Sequence, residues 1–274
     1  MGRRLLGGYA ALVYVFLYAP IAVVVFFAFN ESKRVLFWEG FSTKWFGSAL
    51  HNPDITDALR NSILIAALNA LVACVLGTAL ALAASRMRAW IRVPLDTLAY
   101  MTLVTPEIVF GISALIFFVE AGEFAGLEEP PLGFWAIVVA HVVFNASVVA
   151  LIVRARFVGM GQTLEEASFD LGAGPLATFR QVTLPRLAPA ILAGGLLAFT
   201  FSFDDFITSF FVSDPETQTL PLYIFGQLRF GVSPEVNATA AMMLGVALTA
   251  VVIAYVVLRR TEQGSRGPAT VPGT

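Results

Sequence analysis

The amino-acid sequence predicts an all-α membrane protein that crosses the bilayer six times. Of the 274 residues, 58% are hydrophobic and only 13% are charged, whereas about a quarter of the residues in a soluble domain are charged. The apolar residues also form six runs, each long enough to cross about 30 Å of hydrocarbon as a helix. The predicted spans lie at about residues 5–30, 61–85, 97–119, 130–153, 188–212 and 236–258.

The first span is predicted to be an uncleaved membrane helix. Arg3 and Arg4 precede it, as basic residues precede a signal peptide, but its apolar core is too long and no small-x-small cleavage site follows. The second span carries small residues at four-residue spacing (Ala73, Gly77 and Ala81), which favours close packing against another helix. The spans together predict one transmembrane domain over residues 1–260. Residues 261–274 show no apolar periodicity and are predicted to form a disordered tail.

The loop at residues 159–186, between the fourth and fifth spans, is polar and rich in glycine and proline, unlike the spans around it. Leu164–Leu171 is predicted to form a short helix. Gly172 and Gly174 allow a tight turn, and Pro175 can begin a second helix. The loop is therefore predicted to be a helix–turn–helix that touches a partner rather than a simple connector.

The distribution of basic residues places both termini and this loop in the cytoplasm. With the N terminus inside, most lysines and arginines fall on the cytoplasmic side, as the positive-inside rule requires. The smaller group falls on the outer side: Lys33, Arg34, Lys44, Arg60 and Arg229. The predicted location is a multi-pass position in the cell (inner) membrane. The outer face is acidic, which suits a cationic solute, although the positive-inside rule alone also permits acidic outer loops.

Three acidic residues fall within the predicted spans. Glu107 lies near the middle of the third span, and Asp204 and Asp205 lie in the outer third of the fifth. Carboxylates inside a membrane are costly and usually functional, and no lysine or arginine lies in a span to neutralise them. All three are candidate residues of a substrate pathway. Which of Asp204 and Asp205 faces that pathway stays open, as does a purely interfacial or hydrogen-bonding role.

Two further positions are weaker candidates. The indole ring of Trp45, on the first outer loop, can hold an ammonium group, although tryptophan is also common at membrane interfaces. His141 and Asn145 share a face of the fourth span. The preferred interpretation is that they form hydrogen bonds between helices. A proton relay that includes Glu107 is the alternative. The two histidines are far apart in the sequence and no HExxH motif occurs, so no metal site is expected.

The cytoplasmic loop resembles the EAA loop of ABC-transporter permeases, which reads Glu-Ala-Ala, three residues, Gly, nine residues, Ile-x-Leu-Pro. Here the matching residues, with Ser168 and Val182 departing from the pattern, are Glu166, Ala167, Ser168, Gly172, Val182, Leu184 and Pro185. The resemblance implies that this loop is a coupling helix seated on a cytoplasmic ATPase. On this basis Glu166, Ala167, Gly172, Leu184 and Pro185 are the predicted ATPase-coupling residues.

Shorter motifs extend the resemblance over nearly the whole chain. The segments FSTKWF (41–46), TPEIVFGIS (105–113), FTFSFDDF (199–206) and GVSPEVNA (231–238) are similar to those of permease subunits of spermidine/putrescine importers. This resemblance implies four kinds of partner: a second permease chain (a homologue or another copy), two ATPase subunits, an extracytoplasmic polyamine-binding protein and the lipid bilayer.

The chain is predicted to be a non-catalytic subunit that forms half of a translocation pathway for polyamines. It has no GxxxxGK loop to hold phosphates, so ATP and Mg²⁺ are expected on a separate ATPase chain and no cofactor on this one. The alternatives are the same type of permease for another solute, such as an amino acid, a phosphonate or ferric iron, and a proton-coupled secondary transporter that uses Glu107 and His141. An intramembrane enzyme lacks a credible nucleophile–base or metal set.

Overall fold

The computed structural model describes residues 2–33, 37–161 and 163–265, and within these ranges the chain is helical without a single strand. One isolated bridge pairs Asn30 with Phe41, and a short π-helix (Phe179–Thr183) separates α8 from α9. The α-helices are α1 (Gly2–Ala28), α2 (Lys44–His51), α3 (Pro53–Arg86), α4 (Ala89–Val104), α5 (Glu107–Phe124), α6 (Phe134–Gly159), α7 (Thr163–Asp170), α8 (Pro175–Thr178), α9 (Leu184–Phe203), α10 (Ile207–Val212), α11 (Leu220–Leu228) and α12 (Pro234–Ser265).

Five stretches of helix in the described ranges are long and apolar enough to cross a membrane. They are Leu5–Ala28, Pro53–Arg86, Phe134–Gly159, Pro175–Phe203 and Pro234–Ile253. Helices α4 and α5 pass the same test as a pair, and they make a sixth span if the pair counts as one. The prediction of an all-α membrane protein, with a helix–turn–helix between the fourth and fifth spans, is confirmed.

The predicted third span, residues 97–119, is not one continuous helix. Helix α4 ends at Val104 and α5 begins at Glu107, and the two axes are bent by 111°. Pro106 is the physical cause, because proline lacks a backbone N–H and pushes the preceding residue out of the helical region. Thr105 accordingly has an extended ψ of 128°. Glu107 is therefore the first residue of a helix rather than the middle of one.

The predicted fifth span, residues 188–212, is also interrupted. Helix α9 begins earlier, at Leu184, and ends at Phe203, after which α10 starts at Ile207. The break contains neither glycine nor proline. It is stabilised by Asp205, whose Oδ1 accepts a hydrogen bond of 2.8 Å from the backbone N–H of Ser209 in the first turn of α10. The side chain thus satisfies a backbone donor that the interrupted helix leaves free.

The C-terminal helix is longer than expected. The sequence predicts a tail from residue 261 onward, but α12 continues to Ser265. Arg259 and Arg260 have good helix propensity, so the helix does not stop where its apolar run ends. Residues 266–274, the rest of the predicted tail, lie outside the described residues.

The contacts divide the chain into two compact units, and the division passes through α3 and α12 rather than through a loop. The first unit comprises residues 1–60 and 218–246. Its apolar core joins α2, the first turns of α3, α11 and the first half of α12, with Ile55, Ala58, Leu220 and Tyr223 among its buried members.

The second unit, residues 61–217 and 247–274, is built around α6. Helix α6 packs against α4, α9 and α10, while α10 also packs against α5. Helix α3 approaches α6 closely at Gly77, where a Cβ atom would lie 2.7 Å from the carbonyl oxygen of Ala146. The small-residue stripe of the second span therefore does mark a close helix contact.

Candidate functional site

The second unit contains a cavity of about 580 Å³ at the level of the two helix breaks. Residues from α4, α5, α6, α9 and α10 and from both breaks form its wall. They are Leu103, Thr105, Glu107, Phe110, His141, Phe144, Asn145, Phe201, Asp204, Asp205, Phe206, Ile207 and Thr208. All three acidic residues predicted within the spans line this one cavity.

Four helix ends meet the cavity because both interrupted spans break beside it. The C-terminal ends of α4 and α9 leave backbone carbonyl oxygens without helical partners, and the N-terminal ends of α5 and α10 leave N–H groups. Interrupted helices of this kind form the ion and substrate sites of many transporters, with the carbonyl ends facing cations. The breaks thus supply polar backbone within an otherwise apolar region.

The three carboxyl groups differ in their surroundings. Glu107 is the first residue of α5, near the positive end of the helix dipole, and its carboxyl group contacts that of Asp205. Asp204 is exposed to the cavity, whereas the Asp205 side chain is 8% exposed. Three acids therefore gather in one place, with Asp205 at the centre of their contacts.

His141 holds Asp205 from the opposite wall. Its Nε2 atom lies 3.2 Å from Asp205 Oδ1, and both side chains are almost fully buried. Its Nδ1 atom lies 2.7 Å from the Ser202 hydroxyl, and the Ser209 hydroxyl lies 3.4 Å from Nε2. Three polar residues of the predicted fifth span, Ser202, Asp205 and Ser209, thus surround the imidazole ring of His141 in the fourth span.

A second polar chain crosses the core beside the cavity. Asn69 donates from Nδ2 to the carbonyl oxygen of Ala198 at 2.9 Å, and Asn145 donates from Nδ2 to Asn69 Oδ1 at 3.2 Å. A carbonyl oxygen can only accept, so it fixes the direction of both amide groups. Asn145 Oδ1 is left buried without a hydrogen-bond partner among the described residues.

The polar side chains that line the cavity therefore offer mainly acceptor atoms. Carboxylate oxygens come from Glu107, Asp204 and Asp205, and Asn145 adds an amide oxygen. No lysine or arginine is among the residues that line the cavity. A cavity with this composition attracts cations that carry N–H donors and repels anions.

Trp45, the remaining candidate of the predicted pathway, does not line this cavity. It lies on α2 in the first unit, where its Nε1–H donates to the carbonyl oxygen of Asn30 at 2.8 Å. The Lys44 ammonium group lies 5.0 Å from the centre of its ring. The indole ring can therefore hold a cation, and a lysine of the chain already occupies that position.

The loop between α6 and α9 has the predicted helix–turn–helix form. Helix α7 is followed by a turn in which Gly172 adopts a left-handed φ of +82°, and Pro175 is the first residue of α8. The hydroxyl groups of Ser168 and Thr178 lie 3.0 Å apart, which ties α7 to α8. Two short helices are thus held together as one elbow.

Glu165 attaches this elbow to the membrane helices. Its carboxylate accepts a hydrogen bond from Thr183 in the π-helix that leads into α9, and it lies 3.7 Å from the guanidinium group of Arg86 at the end of α3. The π-helix is an unusual element that often occurs at functional sites. Glu165 therefore joins the elbow to α3 and to the π-helix. Its neighbour Glu166 is exposed.

Three of the predicted coupling residues lie on the elbow, and the other two, Leu184 and Pro185, are the first residues of α9. Glu166, Ala167, Gly172, Leu184 and Pro185 are all exposed in the structure of the single chain. Large apolar side chains beside them are exposed as well: Leu164, Phe169, Leu171 and Leu176. Such a patch on a polar loop is typical of a protein-binding surface.

Sequence reasoning missed three features of these sites. The contact between His141 and Asp205, the second helix break and the anchoring role of Glu165 all depend on residues far apart in the sequence. Pro106 did signal the first break. The polar residues Ser202, Asp205 and Ser209, spaced along an apolar segment, were the available signal for the second.

Comparison with known proteins identifies the family. Residues 73–265 match the family model of the binding-protein-dependent transport system inner membrane component. The chain belongs to this family.

Two similar proteins of this family come from Escherichia coli (strain K12). The chain is 34% identical over 267 residues to the spermidine/putrescine transport system permease protein PotC, covering 97% of this chain and 98% of that protein. It is 38% identical over 253 residues to the putrescine transport system permease protein PotI, covering 91% and 89% respectively. The similarity thus includes both units of the structure.

Solved structures share the fold at lower identity. A chain of a bacterial ABC transporter that imports the acidic polysaccharide alginate superposes with a TM-score of 0.71 and 17% identity, covering 95% of this chain and 96% of that one. A chain of an amino acid ABC transporter has a TM-score of 0.55 and 20% identity over 80% and 94%. The fold of this family member is that of ABC-importer permeases.

Proposed function

We propose that this chain is the permease subunit of an ATP-driven polyamine importer and forms half of its translocation pathway. The observation that carries the proposal is the convergence of Glu107, Asp204 and Asp205 on one cavity whose lining includes no lysine or arginine. A polyamine carries several ammonium groups separated by methylene chains. Adjacent carboxylates suit the ammonium groups, and aromatic side chains suit the methylenes and can also face the cations.

The apolar part of the cavity wall supports this assignment. Phe110, Phe144 and Phe201 line it together with the acids, and the ring centres of Phe110 and Phe201 lie 6.4 and 6.3 Å from that of Phe144. The carboxylates complement the ammonium groups of a linear diamine, and the phenylalanine rings complement its methylene chain. The relatives named as spermidine/putrescine and putrescine permeases agree with this chemistry.

The proposal includes partner chains. A second permease, a homologue or another copy, completes the pathway. Two ATPase subunits that hold ATP and Mg²⁺ bind the elbow and the adjoining start of α9, at Glu166, Ala167, Gly172, Leu184 and Pro185. An extracytoplasmic polyamine-binding protein delivers the solute. Both termini and the elbow are cytoplasmic, as the basic residues indicate. The exposed apolar patch of the elbow supports ATPase docking, and a related fold has been solved with a periplasmic protein bound.

Uptake of radiolabelled putrescine and spermidine by the complete transporter in proteoliposomes tests the proposal. Glu107→Gln removes a carboxylate from the cavity without changing its shape, so uptake should fall by about tenfold or more, as expected for a lost charge-assisted contact. Glu120→Gln is the matched control, since Glu120 is an exposed acid on the same helix outside the cavity.

Assembly is checked by co-purification of the partner chains with each variant. Equal uptake by the wild type and the Glu107→Gln variant would contradict the proposal that the cavity is part of the substrate pathway. If the wild-type transporter takes up an amino acid or another solute but no polyamine, the chain is a permease of the same type with another substrate.

A further inference from the structure

His141 is the cavity-lining residue that can itself carry a positive charge. It lies on α6, 4% exposed, with Nε2 positioned 3.2 Å from Asp205 Oδ1. The other titratable groups that line the cavity are Glu107 at the start of α5 and Asp204 and Asp205 between α9 and α10. All of these are acids, so a protonated imidazole has only favourable charge neighbours within the cavity.

A buried carboxylate needs a positive partner or a proton, because burying an isolated charge is very costly. Among the residues that line the cavity, His141 is the one side chain that can become such a partner, and its Nε2 atom lies 3.2 Å from Asp205 Oδ1. Substrate changes this balance, because an ammonium group near Asp205 lies close to His141 as well. Two positive charges at such a distance repel strongly in a poorly solvated site.

The hydrogen bonds of His141 suit either protonation state. In the charged form, Nδ1–H donates to the Ser202 hydroxyl oxygen, which lies 2.7 Å away. In the neutral form, the Ser202 hydroxyl donates to Nδ1 instead, since a hydroxyl can do either. In both forms Nε2–H can donate to Asp205. The ring can therefore lose its proton without leaving a buried polar atom unpaired.

We propose that His141 is the resident counter-cation of Asp205 and that a substrate ammonium group takes its place as the positive partner, so that the imidazole proton is released to water. The inference rests on the proposed function, because it requires a cationic substrate in this cavity. No covalent bond other than N–H is broken: the ring keeps its contact with Asp205 as a neutral donor while the substrate supplies the charge.

The sign of the pH dependence follows from linkage. Histidine side chains titrate between about pH 5 and about pH 8 in proteins. If substrate binding releases a proton, substrate affinity must fall as the pH is lowered through this range, by up to about tenfold per pH unit for one proton. A residue that only positions Asp205 would not produce this dependence. Its loss would weaken binding at every pH.

The two histidines of the chain make a matched experiment possible. His141→Gln keeps an N–H donor for Asp205 but cannot be charged. His51→Gln is the control, since His51 is exposed on α2 and bonds the carbonyl oxygen of Gly47. Putrescine binding is measured directly on the complete transporter in nanodiscs without its binding protein, from about pH 5.5 to about pH 8, the range of imidazole titration.

The wild type and His51→Gln should lose affinity toward low pH in parallel. His141→Gln should bind putrescine about as well as the wild type at the upper end of the range, and about tenfold more tightly at the lower end, because the competing charge is gone. The pH slopes of the wild type and His141→Gln should differ by nearly one proton. The acids titrate in both proteins, so the difference between slopes isolates the imidazole.

Equal slopes in the two proteins would overturn the proposal, and so would weaker binding by His141→Gln throughout the range, which would make His141 a positioning residue. If that variant does not fold, the wild type provides the test. Proton release on putrescine addition is followed with an indicator dye in weak buffer at about pH 6. An absence of release overturns the proposal. If putrescine does not bind the wild type at any pH, the proposed function fails first and the inference falls with it.

Discussion

At the scale of single residues, Asp204 and Asp205 are neighbours in sequence with different tasks. Asp205 Oδ1 accepts the N–H of Ser209 and also faces His141, so one carboxylate oxygen is used within the chain. Asp204 is exposed and lines the same cavity. Asp204 is thus the more accessible of the two acids, while Asp205 is held by contacts within the chain.

Alanine substitutions should separate these tasks. Asp205→Ala removes both the acceptor at the start of α10 and the buried partner of His141. It should lower the free energy of unfolding by about 3 kcal/mol or more, because losing one member of a buried pair costs more than losing a helix cap. Asp204→Ala should leave stability within about 0.5 kcal/mol of the wild type, as for an exposed position, and reduce putrescine binding. Thermal unfolding and equilibrium binding measure the two effects. Greater destabilisation by Asp204→Ala than by Asp205→Ala would contradict this assignment.

The acids could be predicted from sequence because a carboxylate in an apolar span is rare and costly. Their convergence could not, since it requires α5, α6 and the end of α9 to meet. Glu107 is the example: its sequence position predicts the middle of a helix, whereas it is the first residue of α5. His141 was grouped with Asn145 on one helix face, but each bonds a different partner helix.

At the scale of elements, the two helix breaks differ in how far local sequence explains them. Pro106 explains the first, because its ring and missing N–H act on neighbouring residues alone. The second follows Phe203 in a segment with no residue that breaks helices. It depends on two contacts of Asp205: a local one with Ser209, four residues further on, and one with His141, which forms only when α6 packs alongside. A tertiary contact has overridden helix propensity at this point.

The elbow depends on backbone conformation at one glycine. Gly172 has a φ of +82°, and no atom lies within 4 Å of the position where its Cβ would be. Gly172→Val should therefore strain the backbone by about 1–2 kcal/mol without any clash, displace α7 relative to α8, and reduce transport per ATP hydrolysed. ATPase activity and putrescine uptake, measured on the same proteoliposomes, give this ratio.

Gly174→Val is the matched control. Gly174 also has open space around it, but its φ of −74° suits any residue. Coupling should therefore match that of the wild type. If Gly172→Val couples normally, or if both variants lose coupling equally, the left-handed turn is not what transmits the motion.

At the scale of the whole molecule, the fold does not select the solute. The structure superposes well on a permease from an importer of the acidic polysaccharide alginate, although the cavity described here is lined by carboxylates. The fold is thus shared with an importer of an acidic solute, whereas the proposed function gives this chain a cationic one. In the proposed function, selectivity therefore comes from the few side chains at the helix breaks, and the elbow provides the coupling.

The source of energy separates the proposed importer from a proton-coupled transporter. Proton-coupled transporters also use carboxylates and histidines inside the membrane to carry protons. The presence of Glu107 and His141 therefore does not distinguish the two mechanisms. The chain has no phosphate-binding GxxxxGK loop, and its elbow exposes apolar side chains where an ATPase would dock. Uptake should therefore depend wholly on the partner ATPase.

The decisive variant replaces the P-loop lysine of that ATPase with alanine, so that the complete transporter assembles but cannot hydrolyse ATP. Putrescine uptake into proteoliposomes should fall to background, and collapsing the proton gradient with an ionophore should leave wild-type uptake unchanged. The proton released from His141 does not alter this expectation, because it leaves when substrate binds and no gradient is needed to drive it. Uptake that persists without ATP hydrolysis and stops with the ionophore would identify a secondary transporter.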